Sequence, residues 1–125
     1  MGFVEATKSF FTRYTDFSGR SSRSEYWWAY LGVMLIFFVL GFVAGLLGDV
    51  GMIILGIAYL GILVPSIGIG VRRLHDVDKS GWMMLIALIP ILGSLYLLYL
   101  FVTKGTTGPN RFGPDPLGSD TAVFN

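Results

Sequence analysis

Three stretches of this chain, residues 26–48, 50–71 and 80–103, contain no Asp, Glu, Lys, Arg or His. Each is long enough to cross a hydrocarbon core of about 30 Å, which needs roughly 20 helical residues. Water-free surroundings also force such a run to be helical, because its backbone groups must pair internally. In the second stretch the aliphatic residues together favour insertion by roughly 4 to 7 kcal/mol, before glycine and proline penalties. A soluble bundle needs polar faces, and these stretches have none. With 54% of residues hydrophobic and 14% charged, the chain lies far from the soluble balance. The expected fold is an all-α membrane protein, a single membrane domain over 1–125 with three spans.

A net charge of +1 is too small to suggest nucleic-acid binding. The absence of cysteine removes disulfides, thiolate metal sites and thiol nucleophiles. The first apolar run is too long for a signal-peptide core and ends without a small-x-small cleavage site, so it reads as a retained span. Lys8, Arg13, Arg20 and Arg23 precede it, and Arg72, Arg73 and Lys79 lie between the second and third. Lys104 and Arg111 follow the third, while the first turn carries only Asp49. The positive-inside rule then puts the N-terminus and second connection in the cytoplasm and the tail outside. Pro90, with Gly93 close behind, offers an alternative in which a re-entrant hairpin returns the tail to the cytoplasm. A kinked full span is the commoner outcome and is the expectation here.

Before the first span, Phe3, Phe10, Tyr14 and Phe17 recur on one helical face, which predicts an interfacial amphipathic helix over about 3–17. Ser22-Arg23-Ser24-Glu25 reads as a capping box at the start of the span. Tyr26, Trp27, Trp28, Tyr30 and Trp82 suit an aromatic belt. The tail, 104–125, is rich in Gly and Pro and predicts turns. There is no internal repeat.

Gly41, Ala44, Gly45 and Gly48 share one face of the first span, and Ala58, Gly61, Pro65 and Gly68 one face of the second. Such faces let helices approach closely, either within one chain or between copies or partner proteins. Tyr59 falls near mid-membrane. Its hydroxyl needs a partner, such as the carbonyl freed opposite Pro65, or Ser94. The densest polar segment is Arg72-Arg73-Leu74-His75-Asp76-Val77-Asp78-Lys79. With Arg20 and Arg23 it can form either a buried ion-pair network or a clamp for a phosphate or lipid headgroup. One histidine without a second, and Ser80 without an elbow context, make a poor catalytic or metal site, so neither catalytic residues nor cofactors are expected.

The segments 17–27, 72–76 with Ser80-Gly81-Trp82, and 105–116, the last containing Asn110 and Asp115, resemble the three signatures of the bacterial inner-membrane family known as domain of unknown function 805. The resemblance covers roughly Phe10 to Pro116 and implies a bacterial cytoplasmic membrane without implying a reaction. Three functions follow as expectations. The leading one is a non-enzymatic module that associates with itself or a partner through a basic cytoplasmic face. The others are a small oligomeric transporter or channel for a neutral solute, and a lipid-headgroup or anion-binding protein or enzyme using Arg72, Arg73, His75 and Asp76.

Overall fold

A computed structural model describes residues 2–116, and all its regular elements are helical: α1 (Phe3–Thr12), α2 (Arg23–Leu47), α3 (Asp49–Asp76), a 3-10 helix (Gly81–Leu88) and α4 (Leu92–Val102). The end of the expected tail, residues 117–125, lies outside the described part. α2 and α3 are each apolar and long enough to cross a membrane. Their middles turn large apolar side chains outward, with Phe38 76% and Leu46 74% exposed, whereas Arg72 and Arg73 are 0% exposed. That inversion is what a hydrocarbon solvent imposes.

α2 and α3 are joined without a loop. Gly48 at φ 70° makes the turn that an L side chain resists, and Gly51 sits so close to Ala44 that an added Cβ would strike the Ala44 carbonyl. α1 lies across the start of α2, with Ala6 and Phe10 packed on Ala29 and Ile69. Its buried face therefore rests on protein, and the helix ends at Thr12 instead of 17. The Asp16 carboxylate accepts from the Ser18 amide at 3.0 Å, a local turn that competes with helix. Tyr14 leaves the helical face and donates its hydroxyl to the Gly61 carbonyl. That carbonyl is free because Pro65, inside α3, has no N–H to offer it. The expected partner of this carbonyl was Tyr59; Tyr14 takes the role.

The third charge-free stretch is not one helix, which corrects the expectation of a kinked full span. The 3-10 helix ends at Leu88, Ile91 turns at φ 66° and ψ −64°, and the Leu92 amide donates to the Pro90 carbonyl at 2.7 Å. This is a tight three-residue reversal. Eight residues at about 2.0 Å rise and eleven at about 1.5 Å make two arms of roughly 16 Å each. Gly93 lets them close, since an added Cβ there would collide with the Ile86 carbonyl. The end of α4 returns to the start of α2, where Trp27 Nε1 donates to the Phe101 carbonyl at 3.1 Å and Arg23 Nη1 to the Val102 carbonyl at 3.0 Å. The tail therefore lies at the same end of the bundle as Arg20 and Arg72, not at the opposite one.

Gly93→Ala should lower stability by about 1–3 kcal/mol, as overpacking against rigid backbone does. Gly56→Ala, with open space around the added carbon, should leave the unfolding midpoint unchanged or raised. Thermal unfolding of the detergent-solubilised variants checks both.

Candidate functional site: a buried arginine and aspartate lock

The last turns of α3 carry two consecutive arginines, which a helix projects in different directions. Arg72 turns toward the N-terminal segment. Its Nε donates to Ser21 Oγ at 2.9 Å and its Nη1 to the carbonyls of Asp16 at 2.7 Å and Arg13 at 3.3 Å. Its Nη2 is buried without a hydrogen bond, 3.7 Å from a Glu25 carboxylate oxygen. Arg73 turns the other way, donating from Nε to the Phe101 carbonyl at 3.1 Å and from Nη2 to the Thr103 carbonyl. These are carbonyls that a helix end leaves unpaired, so Arg73, with Arg23 and Trp27, caps α4.

Asp76, one turn on, is 1% exposed and holds the centre. One carboxylate oxygen accepts from Arg73 Nη1 at 2.8 Å, the other from Arg20 Nε at 3.0 Å. Arg20 then reaches into the tail, donating to the carbonyls of Thr106 at 2.6 Å, Gly108 at 2.8 Å and Gly113 at 3.2 Å. Every guanidinium nitrogen of Arg20 and Arg73 is thereby engaged inside the chain. The tail answers through Thr106, whose amide donates to the Asp76 carbonyl at 2.7 Å, and through Gly105, where any Cβ would overlap the Asp76 carboxylate. Burial pulls Arg73 down to about 10, which leaves it charged at neutral pH. Burial also pushes Asp76 above the ordinary carboxylate value, against the pull of Arg73 and Arg20.

His75 is stacked flat on Phe112, ring centroids 3.9 Å apart. Its Nδ1 lies 3.0 Å from the Gly19 carbonyl, and since a carbonyl only accepts, that nitrogen carries the proton. Asn110 donates from Nδ2 to the His75 carbonyl at 2.9 Å, and Asp115 accepts from the Gly108 amide at 2.9 Å. Asp78 stands apart, paired with Arg111 at 3.2 Å where both are exposed. Arg20, Arg23, Arg72, Arg73, His75, Asp76, Asn110 and Asp115 thus gather at one end, with Asp78 on the rim. No group of three metal-ligating side chains is gathered among the described residues.

Sequence reasoning missed Glu25 and Arg13. Ser22 does cap α2, accepting from the Glu25 amide at 3.2 Å. The Glu25 carboxylate, however, accepts from Ser9 Oγ at 2.8 Å and from Arg13 Nη1 at 3.3 Å. The capping-box spacing explained Glu25 locally and so concealed its tertiary role. Phe112 was legible only as a member of the 105–116 signature, with no role of its own.

A family model described as "Protein of unknown function (DUF805)" matches residues 14–114. The chain belongs to this family. Among its relatives, inner membrane protein YhaH of Escherichia coli strain K12 is 44% identical over 108 residues, covering 82% of this chain and 88% of its own length. Inner membrane protein YhaI of the same strain is 39% identical over 111 residues, covering 82% and 87%. No solved structure matches. The two long apolar helices fit the location in those names, and the chain is a bacterial inner-membrane protein. Nearly all of the lock, from Tyr14 to the Asn110–Gly113 turn, lies inside the region that matches the DUF805 model.

Asp76→Ala leaves two buried guanidiniums without their anion and should cost about 3–5 kcal/mol. Arg111→Ala, on the exposed pair, should cost less than about 1 kcal/mol. Chemical denaturation in detergent separates them. Asp16 is held at about 2, chiefly by the Ser18 amide, with burial opposing and Arg13 adding. A folded-state value below the ordinary 3.8 means its contribution is complete above about pH 4 and is lost as the pH falls toward 2. The stability difference between the parent and Asp16→Asn should accordingly shrink as unfolding is followed from about pH 5 to about pH 2.5.

Proposed function

We propose that the protein is a non-enzymatic helical module of the inner membrane that acts by associating with further copies of itself or a membrane partner, its arginine and aspartate lock holding the N-terminal segment and the described part of the tail on the cytoplasmic side. The observation that carries the reading is the turn at Pro90 and Ile91. Arms of about 16 Å reach only about half-way through a 30 Å core. The turn therefore falls at mid-bilayer, where irregular backbone is tolerated only when protein or a water-filled cavity covers it. The chain itself leaves Leu88 80%, Ile91 74% and Leu92 71% exposed, so a second polypeptide is what would cover them. Gly41 and Gly45 support this, because nothing among the described residues lies within 4 Å of a Cβ added at either, leaving room for another helix at these two positions.

The orientation rests on charge. All nine Lys and Arg belong to the segments gathered at the lock end, so the positive-inside rule places that end, and the tail with it, in the cytoplasm. Lys8, Lys79 and Lys104 remain exposed and suit contact with anionic headgroups. Arg20 and Arg73 serve as internal staples in this reading, because their donors are already engaged within the chain.

The cysteine-free chain is a clean background for the test. Lys104→Cys should resist an impermeant maleimide in intact cells while Asp49→Cys is labelled; labelling of both would overturn the orientation. Ile91→Cys should give a cross-linked dimer in membranes. A monomer in native mass spectrometry from nanodiscs, without that cross-link and without a co-purifying membrane protein, would overturn the association.

A further inference from the structure

A cleft of about 420 Å³ opens between α2 and α3 beneath the lock, within the range of small-molecule sites. No charged side chain lines it; its walls include Phe10, Tyr30, Met34, Phe37, Tyr59 and Ser66. From Tyr26 to Phe37 on α2 the lining runs about 16 Å along the helix. Tyr30 also borders a second opening of about 450 Å³ between α2 and α4, room that the short hairpin leaves beside the longer helices.

The hydroxyls in this cleft differ from that of Tyr14. Tyr14 has found the Gly61 carbonyl, whereas Tyr30, Tyr59 and Ser66 make no side-chain hydrogen bond among the described residues. A hydroxyl facing hydrocarbon without an acceptor is costly. An occupant that offers acceptor oxygens relieves that cost, and the lack of charge in the lining calls for a neutral one. The aromatic walls favour a flat ring over a branched or bulky group. Depth at Tyr59 disfavours the ester groups of glycerolipids there. Tyr59 lies thirteen residues, about 20 Å, along α3 from the arginine level at Arg72, whereas ester carbonyls stay near the headgroups.

We infer that this cleft is a binding site for an uncharged, carbonyl-bearing ring on a hydrocarbon chain, the chemistry of a membrane quinone, with Tyr59, Tyr30 and Ser66 donating to its oxygens. The inference concerns binding alone, and a single chain suffices for it, so it stands apart from the association proposed above.

The test titrates radiolabelled decylubiquinone into the full chain in phosphatidylcholine nanodiscs. Saturable binding of one molecule per chain is expected. Tyr59→Phe with Ser66→Ala, which removes two hydroxyls and adds no bulk, should weaken binding about tenfold. Ser66→Phe should abolish it with the unfolding midpoint retained, and decylbenzene, which has the ring and tail without carbonyls, should compete at least about tenfold more weakly. Binding no greater than to empty nanodiscs, or unaltered affinity in the Tyr59→Phe/Ser66→Ala variant, would overturn the site. Equal displacement of the probe by dioleoylglycerol would overturn its assignment to a ring and point to an ester lipid.

Discussion

The carboxylate of Asp76, shared between Arg20 and Arg73, is the interaction on which the rest of the molecule depends. Two guanidiniums cannot be buried beside each other without an anion, and the two carboxylate oxygens divide between them. Each arginine then carries a distant piece of chain: Arg73 the end of α4, Arg20 the turns of the tail. A buried ion pair of this kind adds little net stability over an apolar replacement, because desolvation offsets most of the attraction. Its effect here is on arrangement. Segments separated by 56 and 88 positions along the chain are brought to one place by donors and acceptors that no other pairing satisfies together.

That arrangement determines the path of the last third of the chain. The carbonyls at the end of α4 find Arg73, Arg23 and Trp27 beside α2 and α3, so α4 must finish at the end of the bundle where the 3-10 helix began. Pro90 cannot continue a helix, Ile91 takes the reversal, and Gly93 lacks the Cβ that would strike the Ile86 carbonyl. The hairpin that results is half the height of α2 and α3. Its shortness leaves both an uncovered turn and the opening between α2 and α4 beside Tyr30.

The N-terminal segment is fitted in the same way, by leftover hydrogen-bonding capacity. Pro65 frees a carbonyl at Gly61 and Tyr14 fills it, while Glu25, placed by a helix cap, becomes the counter-charge for Arg13 and lies against Arg72. Arg72 joins this half to the other through adjacent positions on α3. The bundle is thus tied at one end by polar groups whose partners are specified one by one.

Sequence alone determined the apolar surroundings and the two long helices, α2 and α3. The first two charge-free runs of spanning length form helices, as lipid favours, the Ser22 cap places the start of α2, and the positions of Arg20, Arg72, Arg73, His75 and Asp76 mark a polar cluster. These are local properties, set by composition and spacing within a few turns. Tertiary structure decided what depends on direction. A proline reads equally as a kink or a reversal, and only the capping of α4 by Arg73 and the closeness of Gly93 to Ile86 select the reversal. The Tyr14 and Glu25 partnerships likewise span 47 and 12 residues, distances over which periodicity carries no information. The same holds for the tail, whose side of the bundle follows from where Arg20 finds its acceptors and not from the number of charges the tail contains.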